Sequence, residues 1–211
     1  MSGGKDRSVW IHEANPGGNG DPYVPVACVK NAHKRIIWDI TWVGNGSNII
    51  ATGARDGVVK VWKISDITVD HEVSSTAAVK SEVVCLGSFS PFSGRAVTAL
   101  DSTKCWLMQP EDGSDDVGGW CLVVGGECGS LELWIIRPDA STEDTCKKLF
   151  EVESLFCHGA AVKRVKWNEY TVTDDKGNLH ADSTNQTELK FASGGDDNCV
   201  RIFSIMRGNI R

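Results

Sequence analysis

One pattern constrains this chain more than any other: a three-run unit that recurs with the same punctuation. The clearest copy opens with His33-Lys34-Arg35-Ile36-Ile37-Trp38-Asp39-Ile40-Thr41-Trp42 and turns through Gly and Asn at 44–48. It continues as Ile49-Ile50-Ala51-Thr52-Gly53-Ala54-Arg55-Asp56-Gly57 and Val58-Val59-Lys60-Val61-Trp62. Short β-rich runs separated by turn residues predict hairpins. The grammar returns near the C-terminus as His158, Val162-Lys163-Arg164-Val165-Lys166-Trp167, Phe191-Ala192-Ser193-Gly194-Gly195-Asp196-Asp197 and Val200-Arg201-Ile202-Phe203. A degenerate middle copy reads Val84–Pro91, then Cys121–Gly129, then Leu131-Glu132-Leu133-Trp134.

The second and third copies are longer than the first, and both insertions fall between their first and second runs. Insertion at an equivalent loop is what a solid repeat tolerates. The inserts agree: residues 109–119 are acidic and Gly-rich, and 173–188 are polar, so both predict loops. Residues 1–31 predict the rear half of a preceding unit, with Asp6 in a hairpin and Tyr23–Val29 as an outer strand.

These residues resemble the WD-repeat family, whose unit is one four-stranded blade of a β-propeller. The resemblance implies an all-β partial propeller of about three and a half blades, against the usual 4–8. The expected division is 1–31 (rear half of a blade), 33–80 (complete blade), 81–157 (degenerate blade with the acidic insertion) and 158–211 (terminal blade without an outer strand). So few blades imply a fragment of a larger, double propeller.

The resemblance also implies a hydrogen-bonded tetrad inside each blade. His33, Thr52, Asp56 and Trp62 fill all four places; His158, Ser193, Asp197 and Phe203 fill them with phenyl for indole. Carboxylate only accepts, indole only donates, and imidazole and hydroxyl do both, so each group needs the others. The middle copy has Val124 and Cys128 where Thr and Asp belong and no matching His, which predicts hydrophobic packing alone. The tetrads contain His, Asp and Ser/Thr, yet a hydroxyl locked by an indole faces no cleft, so the expectation is structural rather than catalytic.

Four separated motifs, in order, narrow the resemblance to WD-repeat scaffold subunits of Elongator, a complex that helps modify wobble uridines in transfer RNA. They are residues 33–39, 123–129, 162–167 and 191–197. This resemblance implies a non-catalytic scaffold, with other Elongator subunits as protein partners and a weak transfer-RNA contact in view. Another WD-repeat adaptor, such as a substrate receptor of a ubiquitin ligase, stays open as the alternative. A hydrolase or thiol enzyme built on Cys157-His158 ranks last, because adjacent strand residues point to opposite faces.

In such blades two places per unit face one end of the ring: Trp38 and Arg55 in the first copy, Cys85 and Glu127 in the second, Lys163 and Asp196 in the third. Trp and Arg are enriched in interface hot spots, which singles out Trp38 and Arg55. Lys163, Arg164 and Lys166, with Lys147 and Lys148 nearby, form a small basic run that reads either as a phosphate contact or as solvated charge. The chain as a whole carries 28 acidic against 22 basic residues, a poor balance for general nucleic-acid binding.

The remaining composition excludes rather than assigns. Acidic loops at 111–116 and 174–178 lack the ligand spacing of an EF-hand, and no phosphate-loop or dinucleotide fingerprint occurs. No cofactor, metal or small-molecule substrate is therefore expected. Eight cysteines without a Cys-x-x-Cys pair, no apolar stretch long enough to span a bilayer and no secretory leader point to a cytoplasmic protein, with the nucleus also allowed.

Overall fold

The computed structural model describes residues 1–14, 22–44, 47–66, 81–105, 119–138, 140, 144–168, 172–173, 179–180 and 188–206. Among the described residues, four antiparallel sheets of three or four strands succeed one another. The first holds β1 (Ser2–Gly3), β2 (Val9–Ala14) and β3 (Tyr23–Val29). The second runs β4 (Ile37–Trp42), β5 (Ile49–Ala54), β6 (Val59–Asp66) and β7 (Ser81–Phe89). The third runs β8 (Val97–Cys105), β9 (Gly119–Gly126), β10 (Leu131–Ile136) and β11 (Cys146–Glu151). The fourth holds β12 (Val162–Trp167), β15 (Glu188–Gly195) and β16 (Val200–Met206); the two-residue strands β13 (Val172–Thr173) and β14 (Leu179–His180) pair within the connection expected to be loop. The only helical piece among the described residues is a single turn of 3-10 helix at Ser154–Phe156.

The sheets stack face to face, and each interface is a separate apolar cluster. Val9, Ile11, Ile37, Ile50 and Trp62 lie between the first and second sheets. Ala51, Val59, Val61, Leu100, Leu122 and Val124 lie between the second and third. Val123, Leu131, Leu133, Val162, Trp167 and Phe191 lie between the third and fourth. Consecutive residues such as Leu122, Val123 and Val124 thus point into different interfaces. This is why β5 and β9 read as unbroken apolar runs: strands covered on both faces lose the polar half of their alternation.

The topology corrects two expected boundaries. Residues 81–89 are the outer strand of the second sheet, pairing with β6 through Trp62↔Cys85 and Val59↔Phe89, not the first run of the next blade. The 33–80 blade therefore extends to Phe89, and the degenerate blade starts at Val97. The Phe89 ring stacks 3.8 Å from Trp134 of the neighbouring sheet. The 1–31 segment also gains β1, giving that sheet three strands.

A β-bulge recurs at one place in each inner strand. Register shifts between Ile37 and Asp39, between Val97 and Ala99, and between Val162 and Arg164. The residue left over is Trp38, Thr98 or Lys163. Beside each bulge the same backbone bond recurs: Arg55, Glu127 and Asp196 donate to the carbonyls of Ile36, Ala96 and Ala161, at 2.9, 3.0 and 2.9 Å. Bulges re-aim side chains, and here Trp38 and Lys163 are exposed at one end of the stack while Thr98 is buried.

Candidate functional site

The tetrad in the second sheet is a one-way proton chain. The Trp62 indole N–H donates to Thr52 Oγ1 at 2.9 Å. The Thr52 hydroxyl donates to His33 Nε2 at 2.7 Å, and His33 Nδ1–H donates to Asp56 Oδ1 at 3.2 Å. This order holds with His33 neutral; the Thr52 hydroxyl also lies 3.4 Å from the Lys60 carbonyl oxygen. Asp56 also accepts from the backbone N–H of Lys34 (2.8 Å) and of Val58 (3.2 Å). Burial pushes His33 below its ordinary value despite the pull of Asp56. Burial pushes Asp56 up, but the Lys34 amide, His33 and the Val58 amide outweigh it and hold the carboxyl below its ordinary value. Thr52 is fully buried, so its hydroxyl faces no substrate cleft.

The fourth sheet keeps three members. Ser193 Oγ lies 2.7 Å from His158 Nε2, and His158 Nδ1 lies 2.8 Å from Asp197 Oδ1. Phe203 stacks on Phe191 at 4.7 Å and supplies no donor. Residue order alone did not reveal Arg201, whose Nη1 donates to Asp197 Oδ2 at 2.9 Å and lies 2.7 Å from His158 Nδ1. The His158 hydrogen bond, opposed by desolvation and helped by Gly159 N–H and Arg201, holds Asp197 well below the usual carboxylate range. The signal was in the register: Arg201 pairs with Ser193 as Lys60 pairs with Thr52.

The third sheet replaces the network. A Cβ on Gly195 would meet His158 Nδ1 at 2.6 Å, and one on Gly126 would meet the Phe92 ring at 2.7 Å. Phe92 therefore occupies the imidazole's place, beside Val124 and Cys128. The expectation of hydrophobic packing alone needs correcting, however. Glu132, 1 % exposed, accepts from the Trp134 indole at 2.8 Å and from Lys148 Nζ at 2.6 Å, and Lys148 also reaches Glu151 at 3.0 Å. The polar knot has moved one strand outward, where a buried carboxylate still finds partners.

Two further carboxylates tie inner strands together. Asp39 accepts from Leu100 N–H at 2.8 Å, across to β8. Asp101 accepts from Trp167 N–H at 2.7 Å, across to β12, and from Lys166 Nζ at 3.0 Å. Burial raises the Asp39 carboxyl above its ordinary value even though Leu100 and Ile40 donate to it.

At the bulged end, Trp38 is 43 % exposed and Arg55 is exposed beside it. Glu127 is exposed and accepts from Ala96 N–H at 3.0 Å. Lys163 and Asp196 pair with each other at 2.9 Å, both more than half exposed. Cys85 does not belong to this set: it lies on the outer strand β7, and the place assigned to it is held by Thr98, which is buried. In the basic run, Lys163 and Lys166 each lie against a carboxylate, Arg164 is exposed, and Lys148 is held by Glu132 and Glu151. Cys157 Sγ donates to Val152 O at 3.3 Å, while His158 is occupied by its tetrad. Among the described residues no group of three or more His, Cys, Asp or Glu could hold a metal ion. The acidic loops at 111–116 and 174–178 lie outside the described residues.

Successive three- and four-stranded sheets, a buried His–Thr–Asp–Trp chain and a repeated inner-strand bulge define a segment of a WD-repeat β-propeller. The profile described as WD domain, G-beta repeat matches residues 26–63. Among curated proteins, the chain is similar to Elongator complex protein 2 of several organisms. It is 30 % identical to the Arabidopsis thaliana protein over 207 residues, 97 % of this chain and 21 % of that protein. It is 38 % identical to the Schizosaccharomyces pombe protein over 135 residues, 64 % of this chain and 14 % of that one. The chain thus spans about a fifth or less of the length of these curated relatives. A crystal structure of Chaetomium thermophilum Sqt1, bound to the N-terminus of a ribosomal protein, superposes with a TM-score of 0.50 at 12 % identity. It covers 99 % of this chain and 45 % of that one, and shows the fold.

Proposed function

We propose that the chain is a WD-repeat scaffold segment of Elongator that holds other subunits by protein–protein contact and so supports wobble-uridine modification of transfer RNA. The observation that carries this reading is the 30 % identity to Elongator complex protein 2 across 97 % of the chain. Polar networks in the second, third and fourth sheets and the exposure of Trp38, Arg55, Glu127, Lys163 and Asp196 at and beside the bulged ends support this reading. The scaffold does no chemistry itself. It works in the cytoplasm, with a nuclear pool where the complex is imported.

Affinity purification of the tagged chain from its own cells, followed by mass spectrometry, tests the proposal. Elongator subunits should co-purify, and depletion of the protein should lower the modified wobble uridines in transfer RNA. Recovery of a ubiquitin-ligase core instead, with modified uridines unchanged, would reject it. Imaging of the tagged protein tests its placement in the cell.

A further inference from the structure

The outer strands of the second and third sheets, β7 and β11, bring two cysteines to one backbone residue. Cys85 Sγ donates to the Gly87 carbonyl oxygen at 3.5 Å. From the other sheet, Cys146 Sγ lies 3.2 Å from where a Cβ on Gly87 would stand, with the Thr145 Cβ at 3.5 Å. Both sulfurs therefore border Gly87, the residue type with no side chain to fill the space beside them. Cys85 is exposed and Cys146 is half-buried. Burial pushes the Cys146 thiol up to about 12, and the charge of Cys85 adds to the rise, so the two groups feel each other.

The other six cysteines lack this arrangement. Cys105 and Cys121 hydrogen-bond to each other, yet they are 1 % and 0 % exposed and sheltered from any oxidant in solution. Cys128 packs between the second and third sheets and Cys157 between the third and fourth, on opposite faces of the third sheet. Cys28 stands opposite Trp10 in the first sheet, and Cys199 lies on the last hairpin with its Sγ on the Asp197 carbonyl. An accessible thiol beside a sheltered one suits a two-step oxidation. The exposed sulfur meets the oxidant and the sheltered one resolves.

We propose that Cys85 and Cys146 form a reversible disulfide between β7 and β11 when hydrogen peroxide is present. The Cys85 thiol ionises, its sulfur attacks one peroxide oxygen, and the O–O bond breaks. The departing hydroxide takes up the Cys85 proton and leaves as water, and Cys85 is then a sulfenic acid. Cys146 gives up its proton and its sulfur attacks that of Cys85. The S–S bond forms, the S–O bond breaks, and a second water leaves. Two thiols and one peroxide thus give one disulfide and two waters, with two electrons passing from sulfur to oxygen. The product fastens the outer edges of two sheets whose inner strands Asp39 already ties together. It goes beyond the scaffold reading and does not depend on it.

The test treats the full folded chain with hydrogen peroxide, alkylates the remaining thiols and maps peptides by mass spectrometry without reductant. A Cys85–Cys146 cross-linked peptide should form, should open with dithiothreitol, and should exceed its yield from the chain held in urea by about tenfold or more. Cys85→Ser, at an exposed position that keeps the fold by circular dichroism, should abolish the link. Cys146→Ser should leave Cys85 unresolved, read as about fivefold or more dimedone adduct at Cys85. Absence of the cross-linked peptide, an equal yield in urea, preferential linkage of Cys85 to another cysteine, or unchanged dimedone labelling in Cys146→Ser would each overturn the proposal.

Discussion

Replacing Thr52 by valine tests the tetrad where it is most exposed to contradiction. The hydroxyl accepts from the Trp62 indole at 2.9 Å and donates to His33 Nε2 at 2.7 Å, and both partners are buried, at 6 % and 2 % exposure. Valine would leave a buried donor and a buried acceptor unmatched, at about 1–3 kcal/mol each. The methyl that replaces the hydroxyl returns about 0.8 kcal/mol. The net loss should be about 1–5 kcal/mol in urea unfolding followed by tryptophan fluorescence and circular dichroism. The third sheet supplies the comparison, since Val124 holds the same place there with Phe92 and Cys128 in place of the imidazole and carboxylate and with Glu132 accepting from the indole. Copying those replacements into the second sheet (Ala32→Phe, His33→Ser, Thr52→Val, Asp56→Cys) should recover about half of the loss, the His33 share, because the Trp62 indole, whose counterpart Trp134 donates to Glu132, stays unmatched. A Thr52→Val variant within about 0.5 kcal/mol of the parent, or a quadruple variant less stable than the single one, would refute the reasoning.

Acid should weaken the chain in two stages. His33 is held below its ordinary value, so the unfolded chain binds the proton first and stability falls as pH drops below about 6.5. Asp56 is also held low, and its contribution is lost as pH falls below about 3.9 toward its folded value; midpoints that stay flat from pH 7.5 to 5 would remove the His33 stage. Gly129→Ala should cost about 2–5 kcal/mol by thermal or urea unfolding, because φ is +88° and a Cβ would stand 2.1 Å from the His158 carbonyl oxygen. Asp101→Ala should cost about 1–3 kcal/mol by stranding the Trp167 N–H between the third and fourth sheets, and hydrogen exchange should show that amide losing protection.

Much of the polar chemistry could be read from residue order because a tetrad demands fixed places on fixed strands. His33, Thr52, Asp56 and Trp62 stand where the pattern puts them, and Phe203 for Trp was visible as a missing donor. The misplaced strand had a physical cause. An outer strand of one sheet runs directly into the inner strand of the next, and both are short and β-rich, so Val84–Phe89 imitates a first run until pairing with β6 is known. Glu132 and Arg201 were hidden for a related reason. Each occupies the cross-strand place of Lys60, an exposed-looking charge whose partners lie far away in sequence.

Residue order alone determined the repeated unit, the sheet-forming runs, the hairpin turns and the pairing of imidazole, hydroxyl, carboxylate and indole within a sheet. These depend on neighbours along the strand and on the hydrogen-bonding capacity of each group, which a sequence states outright. Tertiary structure decided which outer strand joins which sheet and how Asp39 and Asp101 fasten one inner strand to the next. Those contacts join residues brought together by stacked sheets, and the free energy that selects them comes from burying both faces of each sheet at once.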